Sequence, residues 1–112
     1  MITKDIVKKI MEKNKMKIEY VPARAMKGYV GMNYQAAKAM GYPWKNGKHS
    51  ILVDKNLSPL QKQKTALHET VEEWEMRHGK KYWPAHKDAT MAERLVHIDK
   101  KSKPKKFKEY IY

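Results

Sequence analysis

His68, Glu69 and Glu72 fall in the run Ala-Leu-His-Glu-Thr-Val-Glu at 66–72, where the apolar spacing is helical. Positions 68 and 72 are one turn apart, so their side chains share a face. An imidazole and a carboxylate at that spacing can grip one divalent cation. Glu69 points about 100° further round the helix, where a general base would stand.

Zinc hydrolases commonly use three protein ligands, a water, and a carboxylate that takes the water's proton. The third ligand must come from a later element folded back on the first. A second helical segment, beginning near Pro84 and running to about Asp99, offers His86, Thr90, Glu93 and His97 as a polar stripe. Beside that stripe Ala85, Ala89, Ala92 and Val96 form a flat apolar face that lets another helix approach closely. If that face packs on the first helix, His86 or Glu93 comes within reach of the metal. His86 is the favoured ligand, because it completes a set of two histidines and one carboxylate. Glu93 is then an acceptor that orients a ligand imidazole, or a replacement ligand. His78 is a further candidate, although its place before Gly79 equally suits a cation at a helix C-terminus.

The elements that must position these residues are legible in part. Thr3 can cap a helix carrying the stripe Ile6, Val7, Ile10 and Met11. Residues 16–21 alternate as a half-buried strand before Pro22, and residues 23–31 form a turn or a short second strand. Asn33 suits the cap of a short helix through Met40, closed by Gly41. Asn46-Gly47 predicts a hairpin turn leading into the strand His49–Asp54. Ser58, Pro59 and Gln61 announce the long helix as N-cap, first helical residue and capping-box partner. Its buried stripe is Leu60, Leu67, Val71 and Trp74, and Gly79 ends it. The three tryptophans read as core and lid packing. The expected fold is α+β, a small antiparallel or mixed sheet packed against helices, in one domain over 1–99 with a lysine-rich tail at 100–112.

Composition narrows the partners. No run approaches the roughly 20 apolar residues of a membrane span, and the N-terminus lacks a secretory pattern. With no cysteine, a metal must be held by histidine and carboxylates. The expectation is a cytoplasmic protein without a membrane partner. Lys and Arg number 25 against 12 Asp and Glu, a formal charge of +13 that favours polyanions or acidic peptides. Only Arg24, Arg77 and Arg94 are arginines, and a reader of phosphates or base edges uses arginine more heavily.

A strand, a Ser-Pro capped helix bearing Ala-Leu-His-Glu-Thr-Val-Glu, a glycine break and a helix beginning Ala-His together resemble zincin metallopeptidases. The likeness is to the minimal gluzincin type and covers residues 48–97. That family's signature is His-Glu-x-x-His with a downstream Glu ligand, so Glu72 stands where the second histidine belongs. The resemblance implies a zinc-dependent peptidase with His68 as first ligand and Glu69 as general base. It also implies that residues 51–54 are an edge strand along which a peptide substrate lies extended. Glu72 and His86 can exchange ligand types with the family pattern; alternatively the site binds metal without turnover, or binds none. Tyr82 or His97 would steady the oxyanion. Two other classes compete: a basic nucleic-acid-binding protein, whose affinity would fall steeply with salt, and a metal-stabilised interaction module without activity.

Overall fold

The computed structural model describes residues 2–96. Four helices, α1 (Lys4–Lys13), α2 (Tyr34–Met40), α3 (Pro59–Arg77) and α4 (Tyr82–Leu95), surround three strands, β1 (Lys17–Val21), β2 (Gly31–Asn33) and β3 (Ser50–Asp54). The architecture is α+β with a mixed sheet of order β1-β3-β2. β3 runs parallel to β1, with Ile18 opposite Ile51, and antiparallel to β2, with Met32 opposite Leu52.

All five residues of β3 are buried, because the sheet is covered on both faces. Ile51 and Val53 point to Ala66 on α3, while Leu52 on the other face joins Met26, Met32 and Ala37 beside α2. A strand buried on both faces reads as a continuous apolar run, as Ile-Leu-Val does here. β3 is therefore the central strand, and the sequence-based expectation of an edge strand at 51–54 is wrong. The edges are β1 and β2. The Asn46-Gly47 turn also makes no hairpin: the segment before it is α2, and β3 finds its partners far away in sequence. What remains is a local turn in which Ser50 N–H donates to the Gly47 carbonyl at 3.1 Å.

The caps behave as their chemistry dictates. Thr3, Asn33 and Ser58 side chains accept from the backbone N–H groups of Ile6, Ala36 and Gln61, three residues on in each case. α4 starts two residues before Pro84, within the first turn, where the missing N–H would have had no helical partner anyway. Asp99 and His97, expected on this helix, and the expected tail at 100–112 lie outside the described residues. The main core joins Val7, Ile10 and Met11 of α1 to Leu67 and Val71 of α3 and to Ala89, Ala92 and Val96 at α4. Ile6, read as part of the α1 stripe, lies at its margin and is exposed. Trp74 packs against this core and Trp44 against the α2 side, but Trp83 is 68% exposed and packs in no core. No described helix is long and apolar enough to cross a membrane.

A polar lock fastens α1 to α3. The Asn14 amide donates to the Thr70 carbonyl at 3.0 Å and to Glu73 Oε1 at 2.9 Å. Arg77 closes the ring, donating from Nε to Glu73 Oε2 at 3.0 Å and from its terminal nitrogen to Asn14 Oδ1 at 2.9 Å.

At the α3–α4 corner Lys80 donates to Glu75 and to Asp88. Burial, with the Asp88 carboxyl hydrogen-bonded beside it, pushes Glu75 up to about 7 against the pull of Lys80. The folded state thus holds this proton more tightly than the unfolded chain. The stability it contributes is complete below the ordinary glutamate value and is lost as pH rises through about 7. Thermal melts in chelator should therefore show Glu75→Gln gaining on the parent by a few degrees between pH 5 and pH 8. Parallel pH dependences for the two proteins would contradict this assignment.

Candidate metal centre

α3 presents His68 and Glu72 one turn apart because the neighbouring Leu67 and Val71 are anchored in the core. α4 lies against it through Ala85, Ala89 and Ala92, all fully buried. Methyl-sized side chains let the two helices approach closely, and this brings the polar stripe of α4 over the α3 pair. His68 Nε2 is 3.1 Å from Glu72 Oε2 and 3.2 Å from His86 Nδ1, and His86 Nδ1 is 3.0 Å from the same Glu72 oxygen. Three potential ligand atoms thus form a nearly equilateral triangle. In a tetrahedral zinc site with bonds of about 2.0–2.2 Å, neighbouring ligand atoms stand roughly 3.3 Å apart. The triangle is within a few tenths of an ångström of that figure, and two imidazoles with one carboxylate are donors that zinc accepts. The residues present fit the ion.

The second nitrogen of His68 is engaged as well, with Nδ1 lying 2.8 Å from Glu93 Oε2. Burial disfavours a charge on His68. Hydrogen bonds to Glu72 and Glu93, with the field of Glu69, outweigh it and push the imidazole up to about 10. The charged ring then donates from Nδ1 to Glu93 and from Nε2 to Glu72, and a cation bound at Nε2 would have to displace the proton there.

Glu69 lines the same cavity of about 410 Å³. Burial pushes its carboxyl up to about 8; the Glu72 charge adds to this, and His68 and Asn33 oppose it. Gly31 on β2 lies against it: a Cβ there would meet Thr65 Cγ2 at 2.5 Å and Glu69 Cγ at 3.0 Å. A side chain at 31 would lever β2 away from α3 or move Glu69. Met32, Ala36 and Met40 add apolar surface to the cavity. Tyr82 also lines it, stacked on the His86 ring at 5.5 Å between centroids, and Trp83 meets that ring edge-on at 5.9 Å. Burial and the charges of Glu72 and Glu69 raise the Tyr82 hydroxyl above its usual range, so it stays a donor.

Of the residues singled out in the sequence, His68, Glu72 and His86 meet at one point, Glu93 stands behind His68, and Glu69 lies alongside. His78 does not join them. Its Nδ1 is 2.7 Å from the Trp74 carbonyl, and its ring stacks on Trp74 at the end of α3. His97 is outside the described residues. Asn33 was legible as a helix cap alone; its contacts to Glu69 and Glu72 join residues 36 and 39 positions apart, and no local pattern announces them. Comparison with protein-family models, curated proteins and solved structures finds no match.

Proposed function

We propose that this chain is a small zinc-dependent hydrolase of the peptidase type, with His68, Glu72 and His86 as ligands and Glu69 as general base. The observation that carries the reading is the triangle of ligand atoms with 3.0–3.2 Å edges, bordered by a buried carboxylate in the same cavity. When bound, a divalent cation supplies Lewis acidity, which polarises a carbonyl and makes water a better acid. The chain's own groups do the rest. Glu93 fixes the His68 ring and, by accepting from Nδ1, strengthens Nε2 as a donor of its lone pair. With a cation held beside Glu69, the burial that raises its carboxyl would be offset, and the carboxylate would then take a proton from the attacking water and pass it to the departing amine. Tyr82, a donor on the cavity wall, would hydrogen-bond an oxygen that gains negative charge.

β2, not β3, is the edge strand that borders the cavity, through Gly31 and Met32, with Val30 just before it. A peptide laid extended along β2 would border the cavity that His68, Glu72 and His86 line, where Met32, Ala36 and Met40 offer apolar contacts for its side chains. The charge of +13 favours acidic peptides or proteins by long-range attraction.

Protein purified without added metal should carry about one zinc per chain by elemental analysis. Glu69→Gln should keep that zinc while cleavage of a mixed peptide library drops by about a hundredfold or more. Undiminished cleavage by Glu69→Gln would remove Glu69 from the chemistry. A fully loaded parent that cleaves nothing would leave a metal-binding module without turnover.

A further inference from the structure

Asn33 is fully buried where β2 ends and α2 begins, and every polar atom of its side chain is used. Its Oδ1 accepts from the Ala36 N–H at 2.9 Å, capping α2. That bond settles which end of the amide is oxygen, so the nitrogen must face α3. There Nδ2 donates one hydrogen to Glu69 Oε1 at 2.9 Å and the other to Glu72 Oε1 at 3.1 Å. One amide therefore spans the candidate base and a candidate ligand. Glu72 is divided between two neighbours: Oε1 belongs to Asn33, and Oε2 belongs to the two histidines.

We infer that Asn33 is a positioning residue for the metal centre: it restricts Glu72 to coordination through one oxygen and fixes the base at a set distance from that ligand. The inference rests on the metal reading above. The two carboxylates are buried side by side, and the amide satisfies one oxygen of each. Without the amide, Glu72 is free to turn both oxygens toward the cation, and Glu69 loses its tether. Because the same side chain caps α2, the docking of α2 and β2 on α3 is tied to the geometry of the ligand set.

Asn33→Ser separates the two roles, since serine also caps helices but offers one short hydroxyl in place of the two amide donors. Its far-UV circular dichroism should match that of the parent. Zinc affinity, by competition with a chromophoric chelator, should fall by about 10- to 100-fold. The visible spectrum of the cobalt(II)-loaded protein carries the decision. Cobalt absorbs strongly when tetrahedral and weakly at higher coordination, so the variant should lose intensity as Glu72 adds its second oxygen. A parent that binds neither zinc nor cobalt overturns the metal centre, and this inference with it. A parent that binds both, beside a folded Asn33→Ser with the same affinity and spectrum, overturns this inference alone. Should Asn33→Ser fail to fold, the parent decides by nuclear magnetic resonance. Zinc must then shift the side-chain amide pair of Asn33, and a pair that stays in place overturns the inference.

Discussion

His68→Ala is expected to take the chain from about one bound zinc to none. The ring touches every other member of the cluster: Nε2 faces both Glu72 and His86, and Nδ1 faces Glu93. Its removal leaves one imidazole and one carboxylate on different helices, too few to hold zinc against water. The effect should also appear in stability. Zinc at about a hundred times its dissociation constant adds about 2.7 kcal/mol to a protein that binds it only when folded. The parent's melting temperature should rise on adding zinc, and that of His68→Ala should not. His49→Ala, an exposed histidine away from the cavity, and His78→Ala, held at the end of α3, should both behave as the parent does. Zinc retained in full by His68→Ala would mean that the cluster is an ion-pair network and that any metal sits elsewhere.

Glu73→Ala should produce the largest loss of stability that does not involve the metal. Glu73 is 1% exposed, and it holds Arg77 with one oxygen and Asn14 with the other. Alanine would leave a guanidinium short of its counter-charge and a buried amide short of an acceptor. Breaking a buried pair from one side costs about 3–5 kcal/mol, and the lower figure applies because Arg77 remains partly wet. Against a typical total of about 5–15 kcal/mol, a loss of about 3 is severe. Urea titration should show a lower midpoint with little change in slope. Glu73→Gln keeps one acceptor and should fall between parent and alanine. A loss under about 1 kcal/mol for Glu73→Ala would show that the lock between α1 and α3 is incidental.

What the sequence disclosed about the fold was what local chemistry controls. Thr3, Asn33 and Ser58 mark helix starts because a cap acts over three residues. The alanines of α4 disclosed a packing face because they repeat with the period of the helix. Sheet order was not disclosed in the same way. β2 has three residues, too few for an alternating pattern to register. Asn46-Gly47 signals a turn wherever it occurs, and whether strands flank it depends on pairing between distant segments. Ile-Leu-Val at 51–53 did carry a usable sign, since an edge strand rarely buries three consecutive apolar residues.

The site divides along the same line. His68 and Glu72 could be paired from spacing alone, and His86 and Glu93 could be placed on one face of a second helix. Spacing could not reveal that Asn33 reaches across from the sheet to both carboxylates. Nor could it reveal that Gly31 is small because Thr65 and Glu69 occupy the space where a side chain would go. Such contacts belong to the assembled fold, and no window along the chain contains both partners.

The gap across which His68 and His86 face each other is gauged by groups that have no chemistry of their own. Ala85, Ala89 and Ala92 act as a spacer one methyl thick. The identity of the candidate ligands and the distance between them are thus recorded at different positions. A change of ligand type at position 72 would leave the calibration undisturbed, because the ruler lies on the alanine face of α4, beside the stripe that carries His86.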